Sequence, residues 1–140
     1  MSFDPATIVD RFVRYVPHHR TLGLRFLAAG DGWAELELPY APHLVAYPDT
    51  GVIASGAIFS LMDSASGISV IMALKRWVQH ATLDLRADYL RPATPGATVV
   101  GRAETYKLTR SVAFVRGIAH DGDPARPVAH VTGTFMMTDA

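Results

Sequence analysis

One carboxylate, Asp63, lies inside the most apolar stretch of the sequence, residues 56–74. A carboxylate is rarely buried without a partner, because an unpaired buried charge is costly. Two interpretations follow from this. Asp63 is either a catalytic base or nucleophile in an apolar cleft, with a pKa tuned by desolvation, or a structural aspartate hydrogen-bonded to the backbone or to a serine.

A second source of chemistry is the start of the helix that carries Asp63, where Thr50 or Ser55 is expected to be the N-cap. The free N–H groups at a helix start can polarise a carbonyl. Ser55 precedes Asp63 by eight residues, or about 12 Å along a helix, so these groups cannot meet Asp63 of the same helix. If the two cooperate, the site lies between two chains. Ser55 itself is not a nucleophile elbow, because Ile53 and Ala57 stand where G-x-S-x-G needs glycine.

The cysteine and histidine content of the chain excludes several classes of site. The chain has no cysteine, which removes disulfides, thiolate metal sites and a cysteine nucleophile. Its six histidines have no metal-ligand spacing, and we expect them on the surface or in strands. His80 lies at the start of a predicted strand and could approach the cleft. We expect no metal and no cofactor.

The elements that position these residues follow from hydrophobic periodicity and turn residues. Residues 1–140 are predicted to form one α+β domain in which an antiparallel sheet wraps around one long helix. A loop is expected at 39–50, which contains three prolines. The predicted order is a helix within 1–17 ended by Pro17, strands at 22–29 and 33–38, the long helix, and four strands at 80–90, 97–107, 111–120 and 127–137.

Composition and charge limit the kinds of partner that the chain is expected to bind. Thirteen basic and thirteen acidic residues give a formal net charge of zero, so neither nucleic acid nor an anionic membrane is expected as a partner. The apolar helix contains Asp63 and four serines, which favours a buried helix over a membrane span. The N-terminus does not have the pattern of a secretory signal, and a cytoplasmic location is expected. A domain of this size also gains burial by self-association.

Two segments resemble a known family. Residues 50–65, TGVIASGAIFSLMDSA, are similar to a pattern G-x-x-H-G-G followed by an apolar stretch and L-x-D-x-A. Residues 82–93, TLDLRADYLRPA, are similar to T-x-D-L-x-x-x-Y-L-R-P-A. Both patterns are typical of the hotdog-fold acyl-CoA thioesterases of the PaaI-like branch. The resemblance covers roughly residues 20–138 and implies the hotdog fold.

The resemblance also implies an activity and a set of site residues. The family hydrolyses an acyl-CoA thioester in a cleft at a dimer interface, as a homodimer or homotetramer. Position by position, the family's acid, which serves as general base or nucleophile, falls on Asp63, and the assisting strand hydroxyl falls on Thr82. A backbone N–H at Ser55 is the implied oxyanion donor, and the second glycine falls on Gly56. Arg91 and Arg110 are either contacts for CoA phosphates or solvated charges at strand ends.

The sequence departs from the family pattern at three positions of the ligand cleft. Ala54 stands in place of the histidine, Ser55 in place of the first glycine, and Pro48 in place of an asparagine. The Ser55 backbone N–H is retained, because every residue except proline has one. An alternative to an enzyme is therefore a weakly active or non-hydrolytic hotdog protein that binds acyl-CoA or a related small ligand. A hotdog dehydratase is a third, weaker alternative. Its chemistry needs a histidine paired with an acid, and position 54 is alanine.

Overall fold

The computed structural model describes residues 3–138. Two short N-terminal helices precede two strands, a small hairpin, one long helix and four further strands. In chain order these are α1 Pro5–Tyr15, α2 Pro17–Leu22, β1 Arg25–Gly30, β2 Trp33–Leu38, a 3₁₀ helix Pro42–Leu44, β3 Val45–Tyr47, β4 Val52–Ile53, α3 Ser55–Leu74, β5 His80–Tyr89, β6 Val99–Leu108, β7 Val112–His120 and β8 Ala129–Met137.

A six-stranded antiparallel sheet is the framework of the fold, with the strand order β1-β2-β6-β7-β8-β5. Strands β6, β7 and β8 follow one another through short turns and pair in sequence order. The strand β5, which comes first after the long helix, pairs with β8 instead and forms one edge. The sheet wraps around α3, so the predicted α+β hotdog architecture is confirmed.

The centre of the core is α3, which is buried on most of its circumference. Leu61, Met62 and Ile68 are fully buried. A Cβ atom at Gly101 would stand only 2.8 Å from the Met62 sulfur, so this glycine lets the helix approach the sheet closely. By length and composition α3 could also span a bilayer, but 67% of its most apolar window is buried inside the protein. It is a core helix.

The N-terminal segment differs from the single helix predicted within 1–17, of which residues 1 and 2 lie outside the described range. Pro17 ends the first helix, as expected, because the residue before a proline is pushed out of the helical region, and Val16 is extended. However, Pro17 is also the first residue of a second helix, where its missing N–H costs nothing. Leu22 belongs to that helix, so β1 begins only at Arg25.

The proline-rich segment 39–50 is also more ordered than the predicted loop. It contains a 3₁₀ helix, and β3 pairs with β4 as a two-stranded antiparallel sheet. The Tyr40 hydroxyl donates a hydrogen bond of 2.7 Å to the Gly51 carbonyl and closes the segment at its base. This hairpin leads directly into the first turn of α3.

Strand β5 contains an irregularity that decides which of its side chains face α3. Thr82 pairs with Phe135 and Asp84 pairs with Thr134, so Leu83 is an extra residue, a β-bulge. Because side chains alternate along a strand, one extra residue exchanges the two faces beyond it. Thr82 before the bulge and Leu85 after it therefore both face the helix.

Candidate active site

Asp63 lies half-buried on the α3 surface that faces β5. The Thr82 hydroxyl donates a hydrogen bond of 2.8 Å to Asp63 Oδ1. Within residues 3–138 the hydrogen-bond partner of Asp63 is thus a threonine on the neighbouring strand. The bulge at Leu83 places Thr82 on the inner face, so the two residues singled out by the sequence are brought into contact.

A small cavity of about 170 Å³ opens beside Asp63. Its wall combines three residues of α3, two of β5 and one aromatic or imidazole ring from each of three other elements. These residues are Asp63, Ser64, Gly67, His80, Thr82, Phe12, His19 and Phe135. One carboxylate, two hydroxyls and two imidazoles therefore meet in a pocket with aromatic walls, which is the composition expected of a site for a small reacting group.

His80 presents one ring nitrogen to this cavity. Its Nδ1 lies 2.9 Å from the Val78 carbonyl oxygen, which can only accept, so Nδ1 carries the proton. In the neutral ring Nε2 is then an acceptor, and no hydrogen-bond partner for it is found within residues 3–138. A Cβ atom at Gly67 would stand 2.8 Å from Nε2. The ring can occupy this position only because residue 67 is glycine.

His19 corrects the prediction that the histidines lie on the surface or in strands. It is a helical residue of α2 and only 6% exposed. Its Nε2 and the Ser64 hydroxyl are hydrogen-bonded at 2.7 Å. Burial lowers the pKa of His19 below its ordinary value of 6.5, so the ring is neutral at pH 7. Its edge contacts Phe12, with the ring centroids 5.3 Å apart.

The start of α3 corrects the predicted cap. The N-cap is Ala54, with no side-chain capping bond, and Ser55 is the first helical residue; neither Ser55 nor Thr50 caps the helix. The backbone N–H groups of Ser55 and Gly56 find no acceptor among residues 3–138. A Cβ atom at Gly56 would meet nothing within 4 Å in this chain, so the helix start is open to an incoming group.

Tyr89 supports this helix start, and the sequence did not single it out. Its hydroxyl donates a hydrogen bond of 2.9 Å to the Ser55 carbonyl. Burial raises the pKa of Tyr89, so the phenol is a neutral donor at pH 7. The only sequence signal is the tyrosine of the segment 82–93, and its role depends on a tertiary contact that spacing does not reveal.

Two halves of a site therefore exist in the chain, the open helix start at Ser55 and the carboxylate at Asp63. They are separated by about 12 Å along α3, as the residue count requires. Tyr89 of β5 contacts the first half, and Thr82 of β5 contacts the second. One chain does not bring the two halves together.

The two arginines proposed for CoA lie in different surroundings. Arg91 lines the groove beside Ser55, but its guanidinium forms a two-pronged ion pair with Asp121, at 2.9 and 2.7 Å. It also donates to the carbonyls of Arg126 and Pro92. This pairing holds the pKa of the Asp121 carboxyl well below its usual range.

Arg110 is exposed in the turn between β6 and β7, and within residues 3–138 no hydrogen bond or ion pair holds its side chain. That turn contacts the end of β8, beside the beginning of β5, whereas Arg91 follows the end of β5. Ten strand residues separate these ends, about 33 Å. Within one chain the two arginines cannot bind the same phosphate.

A metal centre finds no support in the described part of the chain. No group of three or more histidine, aspartate or glutamate side chains there is close enough to hold a metal ion.

Comparison with known proteins decides the family. The sequence model of the thioesterase superfamily matches residues 50–128, which include α3, β5 and both halves of the site. The chain belongs to the thioesterase superfamily. The resemblance to the PaaI-like branch is likewise confirmed, because PaaI of Thermus thermophilus, a phenylacetic acid degradation protein solved as a mutant, is 27% identical with a TM-score of 0.75 and aligns over 87% of this chain and 99% of its own.

Two other relatives show how far the likeness extends. A Pseudomonas aeruginosa protein of known structure is 41% identical, with a TM-score of 0.88, over 96% of this chain and 100% of its own. A medium/long-chain acyl-CoA thioesterase of Salmonella typhimurium, YigI, is 26% identical over 91% of this chain and 90% of its own. Membership of this superfamily supports thioester hydrolysis as the general class of reaction, with an acyl-CoA as the implied type of substrate.

Proposed function

We propose that this protein hydrolyses an acyl-CoA thioester to the free acid and CoA in a cleft between two copies of the chain, with Asp63 as general base or nucleophile. The observation that carries the proposal is the Asp63 carboxylate, held by Thr82 at 2.8 Å at a cavity that contains no other acid among its lining residues. The bond to Thr82 occupies Oδ1, and no hydrogen bond from residues 3–138 occupies Oδ2, the oxygen we assign to the reaction.

Two routes use this carboxylate. As a general base, Asp63 removes a proton from water while the water oxygen attacks the thioester carbon, and the CoA thiolate leaves and is then protonated. As a nucleophile, Asp63 attacks that carbon, the C–S bond breaks, and the CoA thiolate leaves and is protonated, which gives a mixed anhydride of Asp63 with the acyl group; water then hydrolyses the anhydride to the free acid and restores the Asp63 carboxylate. On either route His80 Nε2 offers an acceptor that orients the water. His80 thus supplies the imidazole acceptor that the family pattern has at position 54, where this chain has alanine.

The developing oxyanion requires donors that Asp63's own helix cannot bring to it. The free N–H groups of Ser55 and Gly56, at the positive end of the α3 dipole, are suited to this role. Within one chain they lie about 12 Å from Asp63 along the helix, which is too far for both to act on one thioester. The site is therefore complete only when the helix start of a second copy faces Asp63.

Strand β5 is the surface on which we place the second copy. It is a ten-residue edge strand, and its bulge residue Leu83 is 54% exposed. A long, unprotected edge of this kind is a template for pairing with another chain. Antiparallel pairing of two β5 strands centred near residue 85 puts Thr82 of each copy opposite Tyr89 of the other. Since Thr82 contacts Asp63 and Tyr89 contacts Ser55, this pairing brings the two halves of the site together.

The first experiment measures thiol release from a panel of acyl-CoAs, and the cysteine-free chain contributes no background thiol. We expect Asp63→Asn to lower kcat by about 10²- to 10⁴-fold, the range for a lost general base. The matched control is Asp31→Asn, an exposed carboxylate at the other edge of the sheet. Equal activity of Asp63→Asn and Asp31→Asn would return Asp63 to a structural role.

The second experiment tests whether the site is shared between copies. Ser55→Pro removes one N–H at a position where proline is tolerated, because Ala54 is already extended and residue 55 begins the helix. Chains with Ser55→Pro and chains with Asp63→Asn are each expected to be poorly active. In a one-to-one mixture of refolded chains, half of the dimers are mixed and carry one intact site, so about a quarter of the wild-type activity returns. No recovery, despite mixed dimers, contradicts a shared site.

The alternative of a binding protein with little hydrolysis rests on Ala54, whose methyl group offers no hydrogen bond at the helix start. It predicts that an acyl-CoA binds to the protein and to Asp63→Asn equally well and that neither releases thiol. Zero net charge and the absence of cysteine are in keeping with a cytoplasmic location for either function. A homotetramer would require a further interface on top of the β5 pairing.

A further inference from the structure

A second, larger groove lies on the outer side of the N-terminal helices, between α1 and the connection from α3 to β5. Its volume is about 590 Å³. Five of its six lining residues are aliphatic or aromatic, and the lining consists of Ile8, Arg11, Phe12, Tyr15, Val16 and Trp77. Tyr15 is 69% and Trp77 52% exposed, so the groove presents a large apolar surface to solvent.

Phe12 belongs to both this groove and the Asp63 cavity. Its ring contacts His19 of the cavity, at 5.3 Å between centroids, and Trp77 of the groove, at 5.8 Å. The two spaces are therefore adjacent, with the Phe12 ring as the wall between them.

The sizes of the two spaces suggest what extends between them. The Asp63 cavity, at about 170 Å³, has room for a thioester carbonyl and a short substituent, comparable to about six water molecules. An acyl chain of medium or greater length cannot fit there. The only charged group of the groove is Arg11, whose guanidinium lies over the Tyr15 ring at 5.2 Å, and no acidic side chain lines it.

We infer that this groove binds the distal part of the substrate's acyl chain, that Phe12 is the divider over which the chain passes, and that the preferred substrates carry unbranched apolar chains of medium or greater length. The inference rests on the proposed hydrolysis at Asp63. An apolar chain gains from burial in proportion to its length, about fourfold in kcat/KM for each methylene that enters the groove. Short acyl groups, which end before Phe12, gain nothing from it.

Direct binding is measured without turnover, by quenching of tryptophan fluorescence with 9,10-dibromostearate, a fatty acid of the product class. The chain has two tryptophans, Trp77 in the groove and Trp33 on β2, where Arg102 stacks on it at 4.0 Å. We expect quenching in the wild type and in Trp33→Phe, and its loss in Trp77→Phe. Quenching that survives in Trp77→Phe, or none at submicellar lipid, overturns the inference. So does Trp77 emission that still changes with protein concentration in Leu83→Lys, where pairing at β5 is weakened, because a second copy would then occupy the groove.

Chain-length selectivity is the second readout, measured as the ratio of kcat/KM for dodecanoyl-CoA to that for butyryl-CoA. Ile8→Trp fills the groove and is expected to lower this ratio about tenfold or more, the effect of about two lost methylene contacts. The matched control is Ala6→Trp, an exposed position about 160° around α1 from Ile8. An equal ratio in the two variants contradicts a chain in the groove.

The two proposals fail in different ways. Quenching at Trp77 in a wild-type protein that releases no thiol from any acyl-CoA leaves the groove standing and removes the hydrolysis. Hydrolysis that needs Asp63 but shows neither quenching nor chain-length selectivity removes the groove and leaves the reaction.

Discussion

His19 gives the residues around Asp63 an uncharged neighbour. Its ring is buried and bonded to Ser64, the residue next to Asp63, and burial is the largest influence on its pKa. The charge of Asp63 acts in the opposite direction but is a smaller influence, so the pKa is lowered. A protonated ring at this position would place a desolvated positive charge in the wall of the cavity.

The fold should therefore be less stable in mild acid. Because the pKa of His19 is lower in the folded than in the unfolded chain, the unfolded state binds the proton more readily, and stability falls as the pH decreases through about 6.5. We expect the melting temperature to decrease between pH 7.5 and pH 5, with a flatter profile in His19→Gln, which keeps a hydrogen-bonding group near Ser64. The exposed histidine His130 provides the control, and a His130→Gln profile as flat as that of His19→Gln would contradict the assignment.

At the scale of single residues, the sequence predicts Asp63 and Thr82 as partners because an acid in an apolar run is anomalous and because both fall on a recognisable pattern. It raises His80 as a residue that could approach the cleft but does not predict the role of its ring, and it does not predict that His19 is buried beside Asp63. The role of His80 depends on a main-chain carbonyl that fixes its tautomer and on a missing Cβ at Gly67, and the role of His19 depends on contacts 45 residues apart in the sequence. Tertiary contacts of this kind leave no periodic pattern or fixed spacing in the sequence.

The ion pair between Arg91 and Asp121 joins two connections of the sheet. Arg91 follows β5 and Asp121 follows β7; the Thr94 backbone N–H also donates to the Asp121 carboxylate, at 2.8 Å. The side chains are 28% and 7% exposed, so the pair is well shielded from solvent. This arrangement favours a structural role for Arg91 and leaves Arg110 as the arginine free to meet a CoA phosphate.

Removing this pair should therefore lower stability more than substrate affinity. We expect Arg91→Gln to lower the melting temperature clearly more than Arg86→Gln, whose ion pair with Asp88 is exposed. Because the folded pKa of Asp121 is depressed, its stabilisation is present above pH 4 and is lost as the pH falls below the ordinary value of 3.8. A raised KM for acyl-CoA with an unchanged melting temperature would instead assign Arg91 to CoA binding.

At the scale of elements, the sequence predicts the long helix and all four later strands to within about two residues at most ends, because alternation and turn residues are clear there. It fails where one residue has two roles. Pro17 both ends α1 and begins α2. The three prolines of 39–50 obscure a hairpin whose pairing depends on β4, a strand of only two residues. Periodicity cannot detect an element that short.

The whole molecule has one large sheet with two dissimilar edges. Strand β1 is six residues long, whereas β5 has ten residues and contacts both halves of the candidate site, through Thr82 and Tyr89. Each edge exposes one leucine at its bulge, Leu27 in β1 and Leu83 in β5. These two leucines are a matched pair for testing the proposal that a second copy pairs at β5.

We expect sedimentation equilibrium to give at least twice the chain mass of 15.2 kDa for the wild type. Leu83→Lys places a charge at the pairing edge and should shift the protein toward monomer, with a parallel loss of thiol release of about tenfold or more. Leu27→Lys, at the other edge, should remain associated and active. A monomeric and fully active Leu83→Lys variant would contradict both the interface and the shared site.

The extra residue in β5 has a consequence for tracing this family by sequence alignment. Up to Thr82 the even-numbered residues of the strand face the helix, and from Leu85 onward the odd-numbered ones do. A relative that lacks the bulge keeps one parity throughout. Matched to this chain without a gap at Leu83, it would appear to exchange its inner and outer side chains, and an acid on one face would be assigned to the other. The gap at position 83 therefore determines which residues of the strand can be compared as ligands of the cleft.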